Sequence, residues 1–459
     1  MPRRGVYTER SECAPRNDSK IRILHYVQND RIMSSKLDFK EVNRFKDDLD
    51  KCTKCGFCMS SCPVYREEKV ESSVARGKIM LVRSLLSGEL KTTDAMAEIL
   101  NRCTLCMTCE QNCPAGTHVP ALVTAARADK VRQRGVPFPY NFIYRWLLPR
   151  RRLFGYTVRL ASWFQGIFLP KTQGTIRHLS LFLAALGKGR HIPQIAPKFL
   201  RQSVPEINKP PDGIEVKYTV GYFTGCMTDF VFPELGKKII NFLNKNGVEV
   251  IMPRGQGCCG APVFLGAGDF ETGRKMADAN VRAFKDLDYI ITDCATCASA
   301  MKDYVKFLAD TDARKQAYQK FAGKIKDITE FLVDILQLPP SAYRVAPEFR
   351  GKTVTFHEPC HLGRYLGVKE QPRRILKSLP DMKYVEMPDA DRCCGMAGTF
   401  SIYFYELSRK IADRKAADIK STGADVVVTD CPGCQIQLID STTRNGMSQK
   451  VRHIMELFE

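Results

Sequence analysis

The chain has 459 residues, 44% of them apolar and 26% charged, with a formal net charge of +20. That length suits two to four domains, and the composition excludes a disordered polymer. No run approaches the ~18 uncharged apolar residues that a helical membrane span needs. The 19 cysteines stand in CxxC and Cys-Cys groups. That placement excludes a secreted disulfide scaffold and reads as metal ligation in a reducing, cytoplasmic compartment.

Residues 1–33 mix seven basic with four acidic side chains and have no apolar core of signal-peptide length. The expectation is an over-extended or disordered start, with Met33 as the initiator and no role for the lone Cys13.

Residues 34–135 read as a two-cluster domain. Two runs repeat at an offset of 51: Cys52, Cys55, Cys58 and Cys62-Pro63, then Cys103, Cys106, Cys109 and Cys113-Pro114. Three thiolates spaced i, i+3, i+6 on a tight turn reach three corners of one iron cube, and the fourth Cys serves the other cluster. The expected sets are therefore Cys52, Cys55, Cys58, Cys113 and Cys103, Cys106, Cys109, Cys62, each holding a [4Fe–4S] cluster. Paired zinc sites are the alternative, but zinc takes two CxxC pairs rather than two runs of four ending in Cys-Pro. Between the runs, Met80, Leu81, Leu85 and Leu86 carry helical periodicity, so the domain is expected to be all-helical. Arg76 and Lys78 either tune the first cluster or form a solvated face; the solvated face is the preferred reading.

Residues 136–212 form a basic, aromatic bridge. Fourteen Lys/Arg and no acidic residue lie between Lys130 and Val204, leaving only +6 on the rest of the chain. Trp146 and Trp163 stand among Arg150, Arg151, Arg152 and Arg159. Such a segment suits an anionic membrane face or a partner subunit, or else simply covers the flanking domains. No nucleic-acid recognition motif accompanies the charge.

Residues 213–345 and 346–459 are two copies of a longer repeat. The first carries Cys226, Cys258-Cys259 and Cys294-x2-Cys297; the second carries Cys360, Cys393-Cys394 and Cys431-x2-Cys434. The segments YTVGYF, GVEVIMP and YIITD, then KTVTF, MKYVEM and DVVVTD, read as buried strands just before each cysteine group. ELGKKIINFLNKNG reads as a helix with Leu235, Ile239, Ile240 and Leu243 on one face and Gly247 as its stop. Strand–helix alternation predicts a parallel sheet with all cysteines beyond its carboxyl edge. His357 and His361 flank Cys360 as potential sulfur or proton partners, although a structural role is preferred; Glu358 is expected to be a loop residue. No dinucleotide fingerprint is present, so no flavin or nicotinamide site is expected.

The paired Cys…CCG…CxxC modules, with HEPCHLGR, CCGMAGT and DCPGC, resemble the cysteine-rich CCG domain family. Behind a two-cluster ferredoxin domain, over residues 40–459, they resemble iron–sulfur subunits of glycolate or lactate oxidases. They are also similar to the iron–sulfur subunit of anaerobic glycerol-3-phosphate dehydrogenase and to the disulfide-cleaving subunit of heterodisulfide reductase. That resemblance implies one or two further clusters, of non-cubane type, on the two five-cysteine sets. It also implies an FAD-containing dehydrogenase partner and a quinone, cytochrome or membrane-surface acceptor. The leading expectation is an electron-transfer subunit of a 2-hydroxy-acid dehydrogenase, at most peripheral on the inner membrane face. The alternatives are a thiol–disulfide reductase acting at the CCG clusters and a glycerol-3-phosphate dehydrogenase subunit.

Overall fold

In a computed structural model of the chain, the described residues are 39–168 apart from 137 and 139, two short strands at 171–172 and 175–177, and 190–459. Met33 as a start, Cys13 and the HLSLFLAALGKG stretch lie outside them. Residues 39–459 form one unit.

Residues 39–136 are helical, with no strand among those described. Helix α1 (Ala75–Leu86), α2 (Asp94–Asn101) and α3 (Val119–Arg134) enclose a core of Val42, Leu49, Ile79, Val82, Leu85, Met96, Leu100, Leu122 and Val123. The buried stripe of α1 is Ala75, Ile79, Val82 and Leu85, while Met80, Leu81 and Leu86 are only partly covered. Lys78 is buried too, with Nζ donating to the Ser73 carbonyl, so it is no part of a solvated face. Arg76 is half-buried and donates to the Lys54 carbonyl at 3.0 Å. Pro63 does more than stop a helix. The helix Phe57–Ser61 ends at Cys62, and Pro63 opens the next one, Pro63–Glu68, where its missing N–H costs nothing.

The bridge contains a helical segment Phe142–Leu147 and helix α4 (Arg151–Phe168). Not all its arginines are solvated. Arg145 pairs with the buried Asp269 at 2.7 Å and Arg151 with the buried Asp229 at 2.5 Å, fastening the segment to the first repeat. Leu153, Tyr156, Leu160 and Trp163, spaced three, four and three apart, form an exposed stripe on α4.

Each repeat is an open α/β layer. In the first, strands β1 (Ile207–Asn208), β2 (Tyr218–Tyr222), β3 (Val248–Ile251), β4 (Tyr289–Thr292) and β5 (Ile325–Asp327) lie in the order β1-β3-β2-β4-β5. All pairs are parallel except β1 against β3, an antiparallel edge contributed by the bridge. In the second, β6 (Thr353–His357), β7 (Lys383–Tyr384), β8 (Val426–Thr429) and β9 (Lys450–His453) form the wholly parallel order β7-β6-β8-β9. Strand β8 is buried throughout and β4 and β6 after their first residue, as parallel strands covered on both faces should be, whereas β7 is a two-residue edge with Lys383 exposed, not the buried strand expected of MKYVEM. Helix α5 (Pro233–Lys245) buries Leu235, Ile239, Ile240 and Leu243, and Gly247 follows with φ +82°. Helices α6 (Phe270–Ala283), α7 (Ala295–Lys302), α8 (Tyr405–Ser421) and α9 (Pro432–Arg444) complete the layers that position the cysteines.

Candidate iron–sulfur centres

The 51-residue repeat is reproduced in the backbone. Lys54 and Leu105, each just before the second cysteine of its run, have φ of +61° and +54°; Gly56 and Met107, each just after it, have +86° and +60°. Two left-handed residues per turn curl each run round its own centre, a conformation non-glycine residues adopt only when the surroundings enforce it. Cys52, Cys55, Cys58 and Cys113 line one small cavity, with Cys109 at its side. Cys55 and its neighbour Phe57 are exposed. Cys62 lies electrostatically within reach of Cys106 and Cys103, and burial pushes its thiol up to about 11. Cys113 thus stands with the first run and Cys62 near the second, an arrangement compatible with crosswise sharing of the eight thiols.

All three cysteine groups of each repeat follow strand ends. Cys226 comes after β2, Cys258 and Cys259 after β3, and Cys294 caps α7 after β4. Cys360 comes after β6, Cys393 and Cys394 after β7, and Cys431 caps α9 after β8. The glycine after each pair is left-handed, Gly260 at φ +80° and Gly395 at +87°. A Cβ on Gly395 would sit 2.6 Å from the Ser408 carbonyl oxygen, so the turn needs glycine there.

The two five-cysteine sets face each other. Nine of the ten cysteines, Cys431 excepted, line one cavity of about 420 Å³, together with Cys103 and aromatic side chains including Tyr140, Tyr144 and Tyr403. Cys294 Sγ lies 3.9 Å from Cys431 Sγ across the repeat boundary, and Cys394 Sγ lies 3.5 Å from Cys434 Sγ. Cys106 of the helical domain stands beside Cys393, near enough for each thiol to shift the other, which brings sulfur of the two halves of the chain together. All eighteen described cysteines are free thiols. Burial pushes the Cys226 thiol up to about 11, with the neighbouring Cys259 charge adding to the effect. Thiols crowded in this way fit ligation to iron, which takes the thiolate and removes the penalty of burying unshared negative charge.

The surrounding polar groups divide the expectations about His357, His361 and Glu358. His357 Nδ1 and Nε2 have no hydrogen-bond partner, and His357, Cys394 and Cys434 bring ligand atoms within 4.8 Å of one another. It faces sulfur rather than serving as a satisfied core histidine. His361 Nδ1 meets Ser299 Oγ at 2.7 Å, a structural contact across the repeats. Glu358 is buried and paired with Arg373 at 2.6 Å, which makes it an anchor and not a free loop residue.

Sequence reasoning missed several residues that hold the centres. Arg127 on α3 is buried and donates to the carbonyls of Leu100, Cys103 and Leu265 at 2.8–2.9 Å, joining the helical domain to the first repeat. Arg364 donates to the Cys106 carbonyl and to Asp391. Asn280 and Lys415, on α6 and α8, hold the loops that carry the cysteine pairs. The repeat register, applied to residues other than cysteine, is the signal that points to the last two.

Comparison with known proteins agrees with this geometry. The 4Fe-4S dicluster domain matches residues 48–117, and the cysteine-rich CCG domain matches 220–302 and again 354–439. The "Probable glycolate oxidase iron-sulfur subunit" of Bacillus subtilis (strain 168) is 30% identical over 450 residues, covering 93% of this chain and 98% of its own length. The chain belongs to the glycolate oxidase iron–sulfur subunit family. A fumarate reductase (CoM/CoB) subunit of Methanothermobacter marburgensis is 28% identical, over 92% of this chain and 73% of that one. Lactate utilization protein A of Oceanobacillus iheyensis is 34% identical over 52% of this chain and 95% of its own. As a member of this family the chain is an iron–sulfur subunit of an oxidoreductase complex, with a domain for two [4Fe–4S] clusters. No helix among the described residues is long and apolar enough to cross a membrane.

Proposed function

We propose that this subunit carries electrons from a separate FAD-containing dehydrogenase, which oxidises a 2-hydroxy acid such as glycolate or lactate, towards a quinone or another membrane carrier. The observation that carries the reading is a continuous file of thiols. It runs from the exposed Cys55, through the Cys62/Cys103/Cys106/Cys109 group, across Cys106–Cys393 into the second repeat, and across Cys294–Cys431 into the first. A [4Fe–4S] cluster takes and gives single electrons, whereas hydroxy-acid oxidation releases two electrons and two protons, so a flavin partner is needed to divide them. In this reading Cys52, Cys55, Cys58 and Cys113 hold one cluster and Cys62, Cys103, Cys106 and Cys109 the second. Cys226, Cys258, Cys259, Cys294 and Cys297 hold a third, and Cys360, Cys393, Cys394, Cys431 and Cys434 a fourth. The exposed α4 stripe, flanked by Arg152 and Arg159 in a segment without acidic residues, rests on an anionic membrane surface. In this reading the subunit sits peripherally on the inner face.

The test has two parts. Anaerobically purified protein should carry about sixteen iron and sixteen sulfide per chain. Removing the flavoprotein should abolish hydroxy-acid-dependent dye reduction by the complex; survival of that activity would refute the reading. A second reading, disulfide reduction, is favoured by one observation: nine of the ten cysteines of the two modules open on a single substrate-sized cavity. Thiol release from an added disulfide by the dithionite-reduced subunit would support it.

A further inference from the structure

The two cysteine modules are alike in ligands and unlike in charge. At the offset of 134 that relates Cys226 to Cys360, Phe223 and Phe230 of the first module become His357 and Arg364 in the second. At the offset of 135 that relates Cys258 to Cys393, Asn280 becomes Lys415. The surrounding helices share Arg-Lys-x-Ala-Asp, at 274–278 and 409–413, so this register is secure.

Asn280 and Lys415 do the same mechanical work. Asn280, fully buried, donates to the Cys258 carbonyl at 3.0 Å and accepts from the Gly257 amide at 2.8 Å. Lys415, fully buried, donates from Nζ to the carbonyls of Asp389 and Ala390 at 2.7 and 3.1 Å. A neutral amide suffices to brace the loop in the first module. The second uses a buried ammonium instead, and burying a cation is costly unless something gains from it. Its nearest carboxylate, Asp418, stands 3.9 Å away and is shared with Arg392 at 2.8 Å. The Lys415 charge is close enough to Cys394 for the two to be coupled. Arg364, its side chain 3% exposed, adds its field to Cys106, Cys360 and Cys393. In the first module the comparable cation, Arg151, is matched at 2.5 Å by buried Asp229, as Arg364 is at 2.8 Å by the more exposed Asp391, so Lys415, with its carboxylate 3.9 Å away, is the main difference in charge.

Iron–sulfur potentials follow net charge, hydrogen bonds to sulfur and exposure, and a fixed cation favours the reduced, more negative form. We infer that Lys415, assisted by Arg364, tunes the two modules apart and makes the second the better electron acceptor. Lys415 is a positioning residue here: it acts on the thiolate-bound group through its charge and touches no substrate. The inference rests on the proposed reading that both modules hold clusters. Because Cys106 meets Cys393, an electron leaving the dicluster domain reaches the higher-potential site first, and the second module is reduced before the first.

The experiment is a spectroscopically monitored redox titration of the full-length holoprotein, with iron counted in each sample. Wild type, Lys415→Asn and Asp418→Asn are compared, and the second-module signal is identified by its loss in Cys394→Ala. Lys415→Asn should move that midpoint to lower potential and Asp418→Asn to higher, with the dicluster and first-module signals unmoved. An unchanged midpoint in Lys415→Asn with about sixteen iron retained would overturn the inference. If Lys415→Asn loses iron, Asp418→Asn decides alone: an upward shift supports the inference, and no shift overturns it. About eight iron in the wild type would instead overturn the four-cluster reading, and the tuning with it.

Discussion

Gly268 brings the first cysteine module into close backbone contact with the dicluster domain, and replacing it with alanine should loosen that junction. It has φ +85°, and a Cβ there would lie 2.4 and 2.5 Å from the carbonyl carbon and oxygen of Arg127 and 2.7 Å from the Ala128 amide. All three are backbone atoms in the middle of α3, which no rotamer change can move aside. The left-handed conformation alone costs an alanine about 1–2 kcal/mol. Overpacking a well-filled contact adds about 1–3 kcal/mol, for a total of about 2–5 kcal/mol. Gly423→Ala is the matched control, since Gly423 has φ +63° and nothing within 4 Å of its Cβ position. It should lose only the conformational part, about 1–2 kcal/mol. The assay is denaturant unfolding of both variants as anaerobic holoprotein, compared at unchanged slope so that midpoints report stability. Gly268→Ala should also slow electron passage from the dicluster domain to the modules, because Arg127 holds the Cys103 and Leu265 carbonyls from the same turn of helix. Equal losses for the two variants would refute the claim that this close approach holds the domains in register.

Three further outcomes follow from named contacts. Burial lifts the Asp303 carboxyl to about 6, against the hydrogen bond that Tyr365 donates at 2.7 Å, so its contribution is favourable at acidic pH and is lost as pH rises through about 6. Asp303→Asn should therefore leave stability at pH 4 nearly unchanged and raise it above pH 6 by up to roughly 3 kcal/mol, as read from melting at several pH values. Cys113→Ala should disturb the cluster of the first run, and Cys62→Ala that of the second, in Mössbauer spectra of the separate variants; damage confined to each residue's own run would refute the crosswise grouping. The subunit should co-sediment with vesicles containing anionic lipid and not with neutral ones, more weakly as salt rises. Tyr156→Glu with Leu160→Glu should cut that binding at least tenfold, and unchanged binding would remove α4 as the contact.

The sequence showed most plainly whatever is written in cysteine spacing or in strong periodicity. Two runs at a fixed offset marked the two-cluster domain, and the apolar segments before cysteine groups gave the parallel strands and the edge where the thiols gather, although MKYVEM supplies only two residues of an edge strand. The helix of α1 was legible but its buried face was not, because Met80, Leu81 and Leu86 are as apolar as Ile79, Val82 and Leu85, and composition alone does not say which stripe meets α3. Lys78 went unrecognised as buried for a related reason: a lysine reads as solvated until the Ser73 carbonyl that receives its ammonium is brought beside it by the fold. The bridge is mixed for the same cause. Arg145 and Arg151 are anchors only because Asp269 and Asp229, about 124 and 78 residues away in sequence, are buried opposite them. Duplication explains why the cysteine sites were so legible and their differences were not. A repeat advertises what its copies share, here ten cysteines in one order, and conceals single substitutions such as Asn280 to Lys415 unless each copy is read against the other. Identical ligand sets would make two adjacent centres interchangeable, with no preferred direction for an electron between them. A buried charge present in one copy alone breaks that equivalence without altering a ligand or a loop, and so turns a duplicated site into an ordered path.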